Sequence, residues 1–310
     1  MRPQFSIIFF TTLAGMAQGL LFFLAIADLQ GDIFPVTFLA GLALPTALIL
    51  LAIGLIASIF HLGRPERAWR AIMMWKTSWL SREVITLPIV MAANVIALLF
   101  AFQGQVPQWL WLVLILSLIA LWVCTAKIYQ CIRFIQEWSH PSTLANFILL
   151  GLTSGWLLLD FLANIWSQPS NSSNERISSV GFLLLFFALC LKLWIWRRNK
   201  NLKPKSNLAS ATGIKGISIR QISMGLMGGS FNTREFFHHQ TDFFIGNIKK
   251  VILVCAYIVP MLLMILTILS PSPITIGIAL LIHSTGLLAE RWMFFAEANH
   301  PQNLYYQRVS

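Results

Sequence analysis

The chain has very little charge. Only 11% of its 310 residues are Asp, Glu, Lys or Arg, where a soluble domain carries about 25%. That scarcity, with a mean hydropathy of +0.74, excludes an ordinary soluble core. Cysteine is equally sparse. Cys124, Cys131, Cys190 and Cys255 all lie within or at the end of apolar runs, and none forms a CxxC pair. No cysteine-ligated cluster motif is therefore present, and the four thiols read as small buried apolar groups. No internal repeat is evident. A cleavable leader is not expected either: the first apolar run, from Phe5 to Ala27, is too long for one and lacks a small-residue cleavage site. Strands of a barrel would alternate over short segments, whereas the Leu, Ile and Phe here form unbroken runs.

Those runs are long. A spanning helix needs about 20 apolar residues. Eight segments meet that length, at roughly 5–27, 38–60, 84–102, 109–131, 144–165, 180–198, 250–270 and 274–296. The expected fold is an all-α integral membrane protein, a bundle of eight transmembrane helices forming a single membrane domain over 1–310.

The net charge of +11 could point to nucleic acid, but its distribution points to topology. With eight spans, both termini and loops 2–3, 4–5 and 6–7 share one side. That side holds 19 of the 22 basic residues; the other holds Arg176 alone, and Lys192 and Arg291 lie within helices. This asymmetry is a strong positive-inside signal. It predicts cytoplasmic termini and no nucleic-acid partner.

The outer loops are minimal turns around Gly104, Pro107, Pro271 and Pro273, with a longer Ser/Asn-rich stretch at 166–179. The inner side carries the long polar segment 199–249. A solvated tether would need no apolar groups, yet Ile217, Met224, Phe231, Phe236, Phe237 and Phe243 fall within it. The segment reads as a cytoplasmic docking loop, with Arg234, Glu235 and Phe236 as docking residues.

The densest chemistry lies between spans 2 and 3: His61-Leu-Gly-Arg64-Pro65-Glu66-Arg67-Ala-Trp69-Arg70, then Ser78-Trp79-Leu-Ser81-Arg82-Glu83. Ionisable groups at a bilayer edge are costly and mark function by default. His61 closes span 2 and Glu83 opens span 3, so both sit at similar depth on consecutive antiparallel helices. A histidine and a carboxyl so placed can hydrogen-bond the two ends of a quinone and carry its protons to water. Arg64, Arg82 and Trp79 would assist, fixing Glu83 or touching lipid phosphates. Between them, Glu66–Lys76 mixes Trp69, Ile72, Met73 and Trp75 with Arg67, Arg70 and Lys76. That pattern is an interfacial amphipathic helix, and it serves equally as a headgroup anchor or as part of the partner dock through Arg67 and Arg70. Asp160, Asn94, His283, Glu290 and Arg291 are further intramembrane polar groups; Glu290 and Arg291 could pair with each other or with neighbouring helices. His61 and His283 are the only histidines that could face each other across a haem, and they lie at different depths, so no haem is expected.

At these residues the chain resembles the DmsC-type membrane anchors of molybdopterin oxidoreductases. The likeness rests on His61-Leu-Gly-Arg-Pro-x-Arg-Ala, on Ser78-Trp-Leu-Ser-Arg-Glu83 and on eight spans over essentially the whole chain. Thr233-Arg-Glu-Phe-Phe237 and Glu290-Arg-Trp-Met-Phe-Phe-Ala-Glu297 resemble the SoeC branch, the anchors of sulfite dehydrogenases. The resemblance implies a multi-pass protein of the bacterial inner membrane in a three-part complex. A molybdopterin subunit performs the substrate chemistry on the cytoplasmic face, and a four-cluster ferredoxin-like iron–sulfur subunit wires it. The anchor exchanges electrons with ubiquinone or menaquinone and holds no haem, iron–sulfur cluster or metal of its own. His61 and Glu83 match the family's quinol-site positions. Sulfite oxidation is the implied reaction; an anchor of a DMSO reductase-type complex oxidising menaquinol is the alternative. A small-solute transporter is more remote, because no paired broken helices or inverted repeat are seen.

Overall fold

The computed structural model describes residues 5–31, 34–60, 64–166, 171–203, 207–214, 219, 242–270 and 272–298. Eight helices in it are long and apolar enough to cross a membrane: α1 Phe5–Leu29, α2 Val36–Ile59, α3 Trp79–Phe102, α4 Gln108–Gln130, α5 Ser142–Trp166, α6 Ser179–Lys200, α7 Gly246–Leu269 and α8 Pro273–Ala296. At 1.5 Å per residue each extends about 33 to 38 Å, enough for a hydrocarbon core of about 30 Å. Among the described residues there is no strand.

Helix α1 is the axis of the bundle. Ala17, Leu20, Leu21, Leu24 and Ala25 are fully buried, and α1 packs against α5, α2, α4 and α8. Two glycine pairs permit the tightest crossing. Gly15 and Gly19 on α1 face Gly151 and Gly155 on α5. A Cβ at Gly19 would stand 2.0 Å from the Gly151 carbonyl oxygen, and one at Gly155 2.3 Å from the Gly19 carbonyl carbon. Small residues let backbones in lipid approach this closely, and dispersion then supplies the attraction that water cannot.

Two helices contain π-type turns, Leu39–Ala43 in α2 and Ile252–Ile258 in α7. Each is followed by a proline, Pro45 and Pro260. Proline has no N–H to offer the carbonyl four residues earlier. In α7 that carbonyl belongs to Ala256, and His283 of α8 takes it, with Nδ1 2.7 Å from the oxygen. Since a carbonyl only accepts, Nδ1 carries the proton. His283 is thus committed to closing a gap in the α7 backbone. Asn94 of α3 donates to the Leu44 carbonyl of α2, the residue just before Pro45, at 3.2 Å.

One end of the bundle is polar and basic. The starts of α1, α3, α5 and α7 meet the ends of α4, α6 and α8 there. The α4–α5 connection tucks in as a plug, with Ile135 and Trp138 buried against Ile8 and Phe295. Trp138 Nε1 donates to the Phe294 carbonyl at 2.9 Å. Arg198 holds the plug by donating to the Gln136 carbonyl at 3.0 Å.

Three boundaries differ from the sequence reading. Helix α3 starts at Trp79, five residues before 84, because Ser78 caps it by accepting from the Ser81 N–H. The 65–74 segment is a 3₁₀ stretch, Pro65–Met74, with no buried residue. Helix α7 continues a helix that begins at Asp242, so the tail of the 199–249 loop is helical. Lys249, on that helical tail, pairs with Glu297 at 2.7 Å.

Candidate functional site at the basic end of the bundle

The cap at Ser78 fixes where the charged loop turns into α3. Arg82 then reaches back, with Nε 2.9 Å from the Trp75 carbonyl and Nη2 2.8 Å from that of Lys76. Its guanidinium lies 4.2 Å over the Trp79 ring. Arg82 therefore braces the turn, and Trp79 is the surface it rests on. Arg64, Arg67 and Arg70 are exposed on or beside the 3₁₀ stretch, and Arg70 stacks 5.5 Å from the centre of Trp69. Their outward position leaves them open to lipid phosphates or to a partner.

One helical turn beyond the cap, Glu83 points inward and is only 6% exposed. Thr125 of α4 donates a short hydrogen bond to its carboxylate. Cys124 lies beside it, next to Thr86. None of the salt bridges among the described residues includes Glu83. A buried carboxyl held by a hydroxyl and no described cation can take up and release a proton. That is the property a quinone partner requires.

His61 lies outside the described residues, as do Arg234, Glu235 and Phe236. The described remainder of the docking segment includes a short helix, Leu208–Thr212, capped by Asn207 and ended by Gly213 at φ 70°.

A second polar centre lies deeper in the same end. Glu290 of α8 is fully buried, with Lys192 of α6 at 2.6 Å and Asn146 of α5 donating at 3.0 Å, both to Oε1. Arg291 is buried beside it, its Nε 3.8 Å from Oε2 and its guanidinium carbon 3.8 Å over the Phe147 ring. Glu290 and Arg291 thus pair both with each other and across helices. The sequence reading missed Thr125, Asn146 and the Lys192 partnership. The available signal was a cation inside an apolar run, which must find an anion when it is buried. Asp160 is fully buried on α5, where Asn164 donates to its Oδ1 at 2.9 Å. Among the described residues no group of three or more His, Cys, Asp or Glu could hold a metal.

The family model described as the DMSO reductase anchor subunit (DmsC) matches residues 1–296. The C subunit of the sulfite dehydrogenase of Allochromatium vinosum is 43% identical over 332 aligned residues, covering 100% of both proteins. Two Escherichia coli proteins are similar over part of the sequence. The YnfH chain of an anaerobic dimethyl sulfoxide reductase is 31% identical over 43% of this protein and 48% of its own length. The C chain of anaerobic dimethyl sulfoxide reductase is 29% identical over 50% and 56%.

Proposed function

Given that the protein belongs to the DMSO reductase anchor (DmsC) family, we propose that it passes electrons between an iron–sulfur partner and the membrane quinone pool, in a complex that oxidises sulfite. The coarser part of this needs no proposal: it is a membrane anchor subunit of a DMSO reductase-family complex, similar throughout to the C subunit of a sulfite dehydrogenase. The sulfite reading rests on that likeness over the full length of both proteins; the two DMSO reductase chains match about half.

The observation that carries the quinone site is Glu83. It is buried at the membrane edge, hydrogen-bonded by Thr125, and follows directly on the braced loop. Quinone reduction takes two electrons and two protons. The electrons come from the partner's clusters, and this protein handles the protons. Glu83 holds one at a carboxylate oxygen, and His61 serves the other end of the ring. Arg82 and Trp79 position Glu83 by fixing the start of α3. Arg64 assists at the quinone site, and Arg67 and Arg70, with the segment carrying Arg234, Glu235 and Phe236, face the partner. The partners are a four-cluster ferredoxin-like subunit and a molybdopterin catalytic subunit. The excess of Lys and Arg at this end supports a cytoplasmic setting in the bacterial inner membrane.

The test is purification through a tag on this protein. Molybdenum and iron should co-purify, and the complex should reduce a ubiquinone or menaquinone analogue on addition of sulfite. A complex that oxidises a quinol with dimethyl sulfoxide and ignores sulfite would transfer the assignment to the DMSO reductase branch. Purification without either metal would refute the proposed electron-transfer role.

A further inference from the structure

We propose that Tyr129 is a further binding residue for the quinone at Glu83, its hydroxyl donating to the same ring oxygen that the Glu83 carboxyl holds. This rests on the quinone reading above and adds a residue to that pocket.

The first observation is convergence. Tyr129 lies one turn beyond Thr125 on α4, so the two share a helix face, and Thr125 is the residue that bonds Glu83. Side chains on a helix lean towards its start. Helix α4 ends at the basic face and α3 begins there. Tyr129 therefore leans inward over Thr125, while Glu83 leans outward. Four residues of rise put Tyr129 about 6 Å nearer the basic face than Thr125. The two side chains approach each other across that turn, and Tyr129 is within electrostatic reach of Glu83.

The second observation is a pair of polar atoms without a protein partner. Thr125 bonds Oε1 of Glu83. Among the described residues nothing bonds Oε2 or the Tyr129 hydroxyl, and the two do not bond each other. A buried tyrosine hydroxyl usually finds a partner, and an unpaired buried polar atom costs stability. A donor and an acceptor that are close and unjoined leave a place for a ligand oxygen between them. A carbonyl oxygen has two lone pairs. On a quinone it accepts from the phenol and from the protonated carboxyl. On a quinol the oxygen still accepts from the phenol and donates to the carboxylate.

The third is rigidity. The Tyr129 ring stands edge-on to Trp138, Phe294 and Phe295 at 5.5, 5.3 and 5.4 Å, and stacks on Phe147 at 5.7 Å. Trp138 is itself locked, donating to the Phe294 carbonyl and accepting from Thr143 at 2.8 Å through its own carbonyl. A ring so enclosed gives up its rotamer freedom on folding, before any ligand arrives, so its hydroxyl is preorganised. The plug between α4 and α5 thus does more than close the end of the bundle. Tyr257 makes the contrast. Its hydroxyl is unpaired too, but its charged neighbours are Glu290 and Arg291.

A phenol keeps its proton at neutral pH. Tyr129 supplies a bond and no proton, and Glu83 remains the acid–base group. Negative charge gathers on the ring oxygen as electrons arrive, and a hydrogen bond to a charged acceptor is stronger than one to a neutral acceptor. The hydroxyl therefore serves turnover as well as binding.

Three variants of the whole complex test it. The readouts are quinone-linked turnover, artificial-acceptor turnover, the thermal midpoint, and titration with a fluorescent hydroxyquinoline N-oxide, a probe shaped like the quinol ring. Tyr129→Phe removes the hydroxyl and keeps the aromatic box. It is expected to weaken probe binding about two- to tenfold, the worth of one hydrogen bond, and to lower quinone-linked turnover by at least that factor. Artificial-acceptor turnover and the thermal midpoint should stay at wild type. Tyr257→Phe should change neither binding nor turnover, and Glu83→Gln reports on the quinone site itself. Wild-type binding and turnover in Tyr129→Phe, with Glu83→Gln defective, would overturn the role of Tyr129 and leave the quinone reading standing. A fully active Glu83→Gln would overturn both. A Tyr129→Phe complex that fails to assemble or melts earlier would assign the hydroxyl to the fold and overturn the proposal, as would an equal loss in Tyr257→Phe.

Discussion

Thr125 on α4 donates its hydroxyl proton to the buried carboxylate of Glu83 on α3, joining two consecutive spans at the basic end of the bundle. The bond fixes the carboxylate's direction without neutralising it, because a hydroxyl brings no charge. An arginine in the same place would have held Glu83 permanently ionised and removed it from proton traffic.

Glu83→Gln keeps size and hydrogen-bonding capacity but cannot exchange a proton. Loss of a positioned acid–base group costs roughly 10²–10⁴-fold in rate. Quinone-linked turnover should fall in that range while artificial-acceptor turnover, which bypasses the anchor, stays near wild type. Thr125→Val removes only the orienting bond and should cost less. Turnover within about twofold of wild type in Glu83→Gln would move the quinone pocket elsewhere and return the loop to a role as interfacial anchor.

Much of this was legible in the sequence, for identifiable reasons. The spans follow from hydrophobicity alone, since each must satisfy its own backbone in lipid. Glu83 stood out because an acid at the membrane edge is rare. Helix starts were harder to place: Ser78 opens α3 through its hydroxyl, in a stretch whose Arg82 and Glu83 look too polar for a span. Lys192 and Glu290 are 98 positions apart, and no local pattern joins them. The glycine seam was readable, as Gly15-x-x-x-Gly19 and Gly151-x-x-x-Gly155, but the match between the two helices exists only in three dimensions.

Topology is open to a direct test. With 19 basic residues on one side, the C-terminus should be cytoplasmic. Fusions at the C-terminus should be active with a cytoplasmic reporter and silent with a periplasmic one. The opposite pattern would invert the bundle and remove the support for cytoplasmic sulfite oxidation.

The docking role of the long loop predicts a separation of activities. Deleting 206–230 should release the molybdenum and iron–sulfur subunits from the membrane while they keep dye-linked sulfite oxidation. Reversing charge at Arg67 and Arg70 should weaken retention further, since both are exposed on the 3₁₀ stretch. Normal membrane retention in the deletion would refute docking through this segment.

His140, in the α4–α5 connection, predicts a pH effect of known sign. Its Nδ1 accepts the Ser142 N–H at 3.1 Å at the start of α5, which only the unprotonated nitrogen can do. Burial and then the Arg198 charge lower its pKa from the ordinary 6.5. The neutral form is favoured on folding, so its contribution is present above that ordinary value and is lost as pH falls through the lowered one. Histidine NMR should give a midpoint below 6.5, and Arg198→Gln should raise it. A midpoint at or above the ordinary value would show that the ring is not held this way.

The α1–α5 crossing gives the sharpest structural prediction. Gly19 and Gly155 meet backbone to backbone, and a methyl at either position would overlap backbone atoms at 2.0 to 2.3 Å. Helical backbone has no rotamer to turn into, so the two helices must separate. Overpacking of a tight core costs about 1 to 3 kcal/mol and sometimes more, and here it acts on the axis of the bundle. Gly19→Ala and Gly155→Ala should each lower the thermal midpoint of the purified complex and reduce its yield. Gly246→Ala, where an added Cβ meets nothing within 4 Å, should do neither. The same two variants should also weaken quinone-linked turnover in the protein that survives, because α1 carries Ile8 against Trp138 and Phe295 at the basic end. Wild-type midpoints in both alanine variants would show that the helices cross more loosely than the glycine seam requires.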